Sequence, residues 1–470
     1  MQVLPRSYNV SVDPQKLYHF LLASQQNCSN NCTQIVSISV GISSLDPLAV
    51  LERIAQPNQL SFYFENKERG EAIAAIDAVA QLRLSGNNRF NIAQNFIKSC
   101  LDYTSIFSTI NHPFAEPHFF CSFSFFDSIA QPDYPFPAGT IFLPRWQIAR
   151  IGARACLVAN LSITAKMDLK AVVQQLLHDI QFITLSEKFF PEFPHLSQKL
   201  VKKDVTSVDL FKQSVVDSSK LIKANHLNKV VLAHAIDVKA SNTFNIFQCL
   251  NNLRSLHPGC YVFSTSNGKG QNFIGASPER LISIHAQQLS TDALAGSTSR
   301  GKTVMEDIEL ANLLLHSEKD GREHQVVIDF ICDRLDELGI VPQLLPPRLR
   351  RLANIQHLWT PIQAKVPSIV HPLEIVAALH PTPAVAGNSR NLACDQIRCY
   401  EKFERGLYAA PLGWVNHKGN SEFIVGIRSA LIDGDRARLY AGAGIVAGSD
   451  PDQELAEVQL KLQALLKALV

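Results

Sequence analysis

The sequence predicts a mixed α/β (α+β) protein that folds as one large domain. Short stretches with the period-two alternation of a β-strand, of which Gln34–Ile42 (QIVSISVGI) is the clearest, alternate with stretches of helical spacing such as 70–84 (GEAIAAIDAVAQLRL). No internal repeat interrupts this order. No glycine- or serine-rich linker divides the 470 residues, although a chain of that length has room for two or three domains. One continuous core is therefore expected.

Composition and charge favour small-molecule chemistry. Hydrophobic residues make up 46% and charged residues 18% of the chain, and the formal net charge is +2. This balance gives no reason to expect nucleic acid or a membrane as a partner, and no uncharged apolar run approaches the roughly 20 residues that span a bilayer. The ten cysteines lack zinc-type spacing, and no secretory segment is visible at the N-terminus. We expect free thiols and a cytoplasmic location.

The first two hundred residues show strands and helices but few chemical signals. Besides Gln34–Ile42, strands are predicted at Leu60–Asn66, His118–Asp127 and 139–145. The phenylalanine-rich His118–Asp127 suits core packing better than an aromatic ligand platform. A surface connection over 189–203 leads to the second part of the chain, so the sequence predicts an N-terminal region, 1–200, woven into the same fold as a catalytic region, 205–470.

Two residues at the edges of predicted strands are candidates for acid–base chemistry. Lys229 opens the apolar stretch 229–233, where burial would lower the pKa of its amine as a general base requires. The alternative is a strand-edge lysine that keeps its ammonium in water. Glu279 lies in the turn 275–280, where a solvated acid is the alternative. The next turn, 292–298, contains small and hydroxyl residues that suit close approach of a ligand to the backbone.

A predicted helix around residue 323 places a carboxylate within an apolar stripe. At 100° per residue, Glu323 lies between Val326 and Val327 and beneath Phe330. An ionised carboxylate there is costly unless it is paired or binds a metal, so a buried Glu–Arg pair and a metal ligand are both open. The neighbouring His324 is either a ligand or a hydrogen-bonded structural histidine.

The C-terminal helix carries a second group of charges. Glu454, Glu457 and Lys461 have the spacing i, i+3, i+7 and share one sector of the helix, next to an apolar sector. If the two carboxylate helices meet across a cleft, their oxygen ligands favour magnesium over zinc. The preceding loop, 442–448, has the spacing G-x-G-x-x-x-G and no following βαβ unit, which argues against a dinucleotide site.

Two further residues are candidates for binding. Arg428 lies in the apolar stretch 423–430, where a permanent cation needs either a substrate carboxylate or a structural aspartate as its partner. His380 begins the turn 380–384, in which two prolines would aim its ring inward.

In chain order, several motifs resemble those of the chorismate-utilising enzyme family. They are KVVLA, GASPER, LAGSTSRG, SEKDGREH, LHPTPAVAG, FERGLYAAPLGW, FIVGIRSA and AGAGIVAGSDPDQELAE, between Lys229 and Lys461. The first two hundred residues contain none of them. The resemblance implies the family's fold: two large, mostly antiparallel β-sheets packed together and flanked by helices, with the active site in a deep cleft.

The resemblance also implies roles for individual residues. Glu323 and Glu457 would hold Mg²⁺, which binds the ring carboxylate of the substrate chorismate, with Glu454 and Lys461 in support. Arg428, Tyr408 and the backbone of Gly444 would hold the enolpyruvyl carboxylate. The full set expected to bind substrate is Arg428, Tyr408, Gly444, His380, Ala295, Gly296, Ser297 and Lys461.

Three positions separate the branches of the family. Lys229 matches the lysine that activates water, and Glu279 matches the general acid that protonates the departing 4-hydroxyl. Ala295 replaces the nucleophilic lysine that aminodeoxychorismate synthases often carry. One departure is His234, where the family commonly has arginine.

These residues imply an isochorismate synthase, a magnesium-dependent isomerase of chorismate for menaquinone or phylloquinone synthesis. The alternatives are a salicylate synthase, a siderophore-pathway isochorismate synthase, an amine-transferring subunit and a non-catalytic chorismate-binding protein. A monomer or weak homodimer is expected.

Overall fold

The computed structural model describes residues 12–28, 33–185, 199–352 and 355–469. The helices of these residues are α1 (Pro14–Gln26), α2 (Pro47–Ile54), α3 (Arg89–Asp102), α4 (Leu169–Thr184), α5 (Val208–Lys223), α6 (Ile246–Leu256), α7 (Val304–His316), α8 (Glu318–Asp336), α9 (Pro372–Leu379), α10 (Arg390–Tyr400) and α11 (Pro451–Leu466). The strands are β1 (Gln34–Ile42), β2 (Leu60–Asn66), β3 (Glu71–Ile76), β4 (Ala80–Leu84), β5 (Thr104–Ser108), β6 (His118–Phe123), β7 (Gly139–Leu143), β8 (Trp146–Ile151), β9 (Arg154–Ile163), β10 (Val201–Asp204), β11 (Lys229–Lys239), β12 (Tyr261–Asn267), β13 (Asn272–Ser277), β14 (Arg280–His285), β15 (Gln288–Ser299), β16 (Gln343–Leu344), β17 (Arg348–Arg351), β18 (Ile355–Lys365), β19 (Gly387–Asn388), β20 (Pro411–Asn416), β21 (Ser421–Val425), β22 (Ser429–Asp433) and β23 (Arg436–Ile445).

The strands form two large sheets. The 13-stranded sheet has the order β10-β11-β23-β22-β13-β12-β2-β3-β8-β9-β1-β5, with β19 beside β11. The 10-stranded sheet has the order β16-β18-β15-β14-β21-β20-β6-β7-β4, with β17 beside β18. Within the described residues β1 and β5 pair in parallel, and the other strand pairs are antiparallel. The predicted fold class is confirmed.

Strands from the first part of the chain form one end of each sheet and continue directly from the strands of the second part. In the larger sheet β2 pairs with β12, and in the smaller sheet β6 pairs with β20. The phenylalanine-rich β6 is buried along its whole length. Its Phe120 contacts Phe62 of β2, with 5.2 Å between ring centroids, so these aromatic side chains fill the space between the sheets.

The helix predicted over 70–84 is wrong. These residues form β3, which pairs with β2 and β8, and β4, which pairs with β7 of the other sheet. Residues 72–76 are buried on both faces of the sheet, so their apolar side chains show no period-two contrast with polar ones. Asp77 turns the chain with a φ of 61° between the two strands.

The predicted connection 189–203 falls partly outside the described residues, because 189–198 are not described. Its end forms β10, an exposed edge strand whose lysines oppose pairing with another chain. The cysteines of the described segments are free thiols. None of the helices in these segments has the length and apolar character needed to cross a membrane.

The elements that carry the candidate site meet at one end of the larger sheet. There β11 pairs with β23 over Val230 to Lys239, with Val231 opposite Gly444. Helix α8 packs on β15 of the smaller sheet, and α11 packs on β23. Residues that lie far apart in the chain thus line one space.

Candidate active site

A cleft with about 740 Å³ of empty space contains the predicted site residues other than His380 and Glu454. Its lining comes from both sheets and from the helices α8 and α11. The lining residues are Lys229, Val231, Pro278, Glu279, Leu294, Ala295, Gly296, Ser297, Glu323, His357, Ala384, Val385, Tyr408, Ile427, Arg428, Ala441, Gly442, Gly444, Glu457 and Lys461.

Lys229 and Glu323 form a buried ion pair inside this cleft. The lysine Nζ lies 2.6 Å from Glu323 Oε1, and the lysine side chain is 4% exposed. The ammonium is therefore not in bulk water, and the partner of Glu323 is a lysine rather than an arginine. A Cβ at Gly444 would lie 3.0 Å from Lys229 Cε and 3.1 Å from Glu323 Oε1, so glycine lets the backbone of β23 approach both side chains.

Glu279 is a buried acid, not a solvated one. Burial raises its pKa to about 8, the carboxylate of Asp292 adds to the effect, and Lys229 opposes it. The Oγ of Ser277 holds the turn, because it accepts from Glu279 N at 3.2 Å and donates to Val425 O at 2.6 Å. Near neutral pH this carboxyl group keeps its proton, as a general acid must.

Glu457 behaves in the opposite way. Burial opposes its ionisation, but the charge and hydrogen bond of Lys461 and a hydrogen bond from Ser297 outweigh burial and lower its pKa to about 2. The Lys461 Nζ lies 2.6 Å from Glu457 Oε1, and Ser297 Oγ donates to the same oxygen at 3.0 Å. This carboxylate is a permanent anion facing the cleft.

Glu454 lies behind the cleft surface and contributes a further negative charge. Burial raises its pKa, a hydrogen bond from Ser449 and the charge of Lys319 lower it, and the carboxylates of Glu457 and Glu323 raise it. Glu323 and Glu457 are each paired with a lysine at 2.6 Å, whereas Glu454 forms no salt bridge within the described residues.

The donor set fits magnesium. The described residues contain no group of three or more His, Cys, Asp or Glu side chains arranged for a metal, so an all-protein cage is not formed. Glu323 and Glu457 face the same cleft, and magnesium commonly binds one or two carboxylates, waters and an anionic substrate. His324 is a structural histidine, because its Nε2 lies 2.8 Å from Thr360 Oγ1 and it does not line the cleft.

Arg428 presents a guanidinium to the cleft without a structural acid. Among the described residues no carboxylate forms an ion pair with it, and burial lowers its pKa while Cys260, Glu457 and Tyr408 act in the other direction. Its φ of 52° lies in the left-handed region, which is uncommon for a non-glycine residue and recurs at functional sites. A Cβ at Gly275 would lie 2.7 Å from Arg428 O, so the glycine of the GASPER turn permits this backbone position. Of the two alternatives, a structural aspartate is not found among the described residues, and an anionic ligand remains.

Tyr408 forms the wall beside this guanidinium. Its ring stacks on Tyr440 with 5.2 Å between centroids. Burial raises its pKa well above the ordinary value, so the phenol keeps its proton and can donate to a carboxylate. A Cβ at Gly442 would lie 3.0 Å from Tyr408 Oη, which places the hydroxyl next to the backbone of β23.

His380 does not point into the cleft as predicted. Its Nε2 lies 3.0 Å from the carbonyl oxygen of Phe125, and its ring packs edge-on against the Phe125 ring. This buried carbonyl needs a hydrogen-bond partner and takes the histidine away from the cavity. Ala384 and Val385 of the same turn line the cleft instead.

Sequence reasoning missed His357. This buried residue of β18 lies opposite Ser297, its Nδ1 is 3.3 Å from Gly296 O, and its Nε2 has no hydrogen-bond partner in the described residues. Burial lowers its pKa to about 3, helped by Arg428 and Lys461, so the ring is neutral. The stretch 355–360 mixes polar and apolar residues, so no local pattern distinguished this histidine.

Comparisons with known proteins identify a family and several relatives of this chain. A family model described as "Chorismate binding enzyme" matches residues 21–470. The isochorismate synthase MenF of Bacillus subtilis is 30% identical over 460 residues, covering 93% of this chain and 94% of that protein. The salicylate biosynthesis isochorismate synthase of Pseudomonas aeruginosa is 41% identical over 256 residues, which is 54% of this chain and 53% of that protein. The solved structure of MenF, the menaquinone-specific isochorismate synthase from Escherichia coli, superposes with a TM-score of 0.78 and 28% identity, covering 97% of this chain and 99% of the other.

Proposed function

The chain belongs to the chorismate binding enzyme family, and on that basis we propose that it is an isochorismate synthase. It converts chorismate to isochorismate by adding water at C2 and releasing the 4-hydroxyl group. Similarity to proteins named isochorismate synthases supports this reaction. One structural observation carries it: the cleft contains a buried amine, Lys229, and a buried carboxyl, Glu279, that is protonated near neutral pH.

Substrate binding follows from the charges of the cleft. Chorismate is a dianion, and its enolpyruvyl carboxylate would pair with the Arg428 guanidinium, which has no structural acid. The Tyr408 hydroxyl and the backbone of Gly444 complete this subsite. Because the pocket already contains the anion Glu457, the ring carboxylate needs a cation between it and the protein.

Magnesium would supply that cation, held by Glu323 and Glu457 with Lys461 and Glu454 in support. When bound, it neutralises the ring carboxylate and fixes the ring in the cleft. The position of Glu323 and Glu457 in one cleft, where they offer carboxylate oxygens, supports this assignment.

Lys229 and Glu279 divide the proton transfers. The neutral amine of Lys229 takes a proton from water as the oxygen attacks C2, and Glu279 gives a proton to the departing oxygen at C4. One water enters and one leaves, so the product is an isomer and no redox cofactor is needed. In the free site Lys229 Nζ donates to Glu323 at 2.6 Å. An ammonium has no lone pair, so the group must first release a proton to solvent before its amine can accept one from the attacking water.

Product analysis tests the proposal. Purified protein is incubated with chorismate and Mg²⁺, and the products are separated by chromatography. We expect isochorismate with no accumulation of pyruvate. Salicylate with an equivalent of pyruvate would support a salicylate synthase instead, and anthranilate formed with added ammonia would support an amine-transferring enzyme, against which Ala295 argues.

We assign the product to menaquinone or phylloquinone synthesis, supported by the nearly full-length similarity to proteins named MenF. The 41% identity to the salicylate biosynthesis isochorismate synthase favours salicylate supply as a second candidate. Disruption of the gene would lower quinone content under the first assignment and salicylate content under the second. The free cysteines fit a reducing compartment, so a cytoplasmic location is part of the proposal. A monomer or weak homodimer stays a prediction.

A further inference from the structure

Arg405 is a buried cation between the segments that line the cleft, although it does not line the cleft itself. It is 1% exposed, and it is the largest of the fully buried side chains in the described residues. Its guanidinium forms a bidentate pair with Glu401, with Nε at 2.8 Å from Oε2 and Nη2 at 2.5 Å from Oε1. Its planar face lies 4.4 Å from the centroid of the Phe125 ring. A pair this deeply buried fixes geometry more than it adds stability.

The remaining donors of Arg405 reach two backbone carbonyls that belong to different parts of the cleft. Nη2 donates to Val231 O of β11 at 2.8 Å. Nη1 donates at 2.9 Å to Val385 O, in the segment between α9 and β19. The side chains of Val231 and Val385 both line the cavity. One rigid, planar group therefore sets the distance between these two segments.

The same two segments hold the end of β11 that carries Lys229. The backbone of Lys229 pairs with Asn388, and Val231 N donates to Ala386 O at 2.8 Å. A Cβ at Gly387 would lie 2.2 Å from Lys229 O, so the turn fits tightly against the lysine backbone. The partner acid contributes as well, because Glu401 Oε1 accepts from Ala233 N at 2.8 Å.

We propose that Arg405 is a positioning residue for Lys229. By holding Val231 and Val385 together, it fixes the strand from which the lysine projects toward C2 of the substrate. Lysine cannot replace it, because a single ammonium has neither the planar fork nor enough donors for two carboxylate oxygens and two carbonyls. This inference rests on the proposed function and deepens it.

The experiment compares Arg405→Lys with Arg438→Lys, a control for the loss of a bidentate arginine pair beside the same strand. Because the Arg438 side chain is 30% exposed and that of Arg405 is 1% exposed, the unfolding midpoints are needed to separate the effect of burial. Arg438 also forms a bidentate arginine–carboxylate pair across β11, with Nε 2.7 Å from Asp237 Oδ1 and Nη2 2.9 Å from Oδ2. That pair lies at the opposite end of the strand and does not line the cleft. Steady-state kcat and KM for chorismate are measured with saturating Mg²⁺, and the thermal unfolding midpoint is measured for each variant.

We expect Arg405→Lys to lower kcat by about tenfold or more, since small misplacements of a catalytic group have effects of this size, with KM changed by less than about threefold. Arg405 contacts Tyr408 of the carboxylate subsite, with 5.7 Å to the ring centroid, so a rise in KM within this limit is expected. The change stays smaller than that in kcat because Arg428 and Gly444 do not contact Arg405. The control should keep both constants within about twofold of wild type. A kcat of Arg405→Lys within twofold of wild type would overturn the inference. So would equal losses in both variants, since these would report a structural effect alone.

Glu401→Gln provides a second, milder variant in case Arg405→Lys does not fold. The amide keeps an acceptor for Ala233 N and weakens the grip on Arg405, so kcat should fall by about threefold or more at constant KM. A folded Glu401→Gln protein with wild-type kcat refutes the positioning role. Wild-type activity is measured first, because a wild-type protein that makes no isochorismate refutes the proposed function instead.

Discussion

Two regions of the cleft shift the pKa of a glutamate carboxyl group in opposite directions. At the β13–β14 turn, burial raises the pKa of Glu279 to about 8. At the first turns of α11, Lys461 and Ser297 lower the pKa of Glu457 to about 2 despite its burial. The difference is the partner: Glu279 has a carboxylate, Asp292, as its strongest charged neighbour, whereas Glu457 has an ammonium. One cleft thus holds a proton donor and a permanent anion without any change of residue type.

The largest expected effect comes from removing the proton donor. Glu279→Gln should lower kcat by about 10² to 10⁴-fold, because the amide cannot protonate the departing oxygen, while chorismate binding is retained. Turnover and calorimetric binding are measured on the same preparation. Glu71→Gln is the control, since burial also raises the pKa of that glutamate and it does not line the cleft. Turnover of Glu279→Gln near the wild-type level would remove Glu279 from the mechanism.

The role of Glu457, the permanent anion, is tested next by the Mg²⁺ dependence of activity. Glu457→Gln should raise the Mg²⁺ concentration for half-maximal activity by about 10- to 100-fold, because a ligand charge is lost and Lys461 loses its partner. Glu454→Gln, behind the cleft surface, should have a smaller effect of the same sign. Treatment of wild-type protein with a chelator should abolish activity, and added Mg²⁺ should restore it. An unchanged Mg²⁺ titration for Glu457→Gln would contradict the assignment.

The pH profile sharpens the contrast between the two acids. Glu279 works only when protonated, so kcat should fall above about pH 8, by about tenfold per pH unit, as this group ionises. Ionisation of Glu457 is complete far below that range and should leave no limb near neutral pH. Stopped-flow or discontinuous assays between pH 6 and 10 would show the limb. A profile that stays flat above pH 8 would contradict a general-acid role.

The smallest expected effect is on stability, and its sign differs between the two glutamates. The raised pKa of Glu279 means that the unfolded chain ionises more readily than the folded one, so above its unfolded pKa this group disfavours the folded state. The lowered pKa of Glu457 contributes stability above its unfolded pKa, and this stability is lost as pH falls toward about 2. At pH 7 the Glu279→Gln change should raise the unfolding midpoint by a few degrees, and Glu457→Gln should lower it. Differential scanning calorimetry measures both midpoints, and two shifts of the same sign would contradict the contrast.

The motifs shared with the chorismate-utilising family located most of the candidate site. Patterns of charge beside apolar residues marked Lys229, Glu323 and Arg428, and the cleft contains all three. The sequence could not show which charged side chains form ion pairs with one another. The Lys229–Glu323 contact joins residues 94 positions apart, and no local pattern reveals such a partner.

Two misses have a common physical origin. His380 turned away because Phe125 O, far away in the chain, needed a hydrogen-bond partner. Residues 71–76 form a strand whose two faces are both buried by elements packed on the sheet, helix α2 among them, and this burial removes the alternation that marks a strand. In both cases tertiary contacts decided the local structure, and only the folded chain contains them.

The pairing of β11 with β23 also constrains how the protein is made. Val230 lies opposite Ile445, so a ribosome releases the strand that carries Lys229 long before its neighbour in the sheet exists. Until β23 and α11 emerge, the growing chain exposes an unpaired apolar strand edge, which is prone to pair with other chains. A transcript that stops translation before β23 would therefore yield an aggregating protein, not a weakly active one. Catalytic competence in the cell begins only with the last segments of the chain.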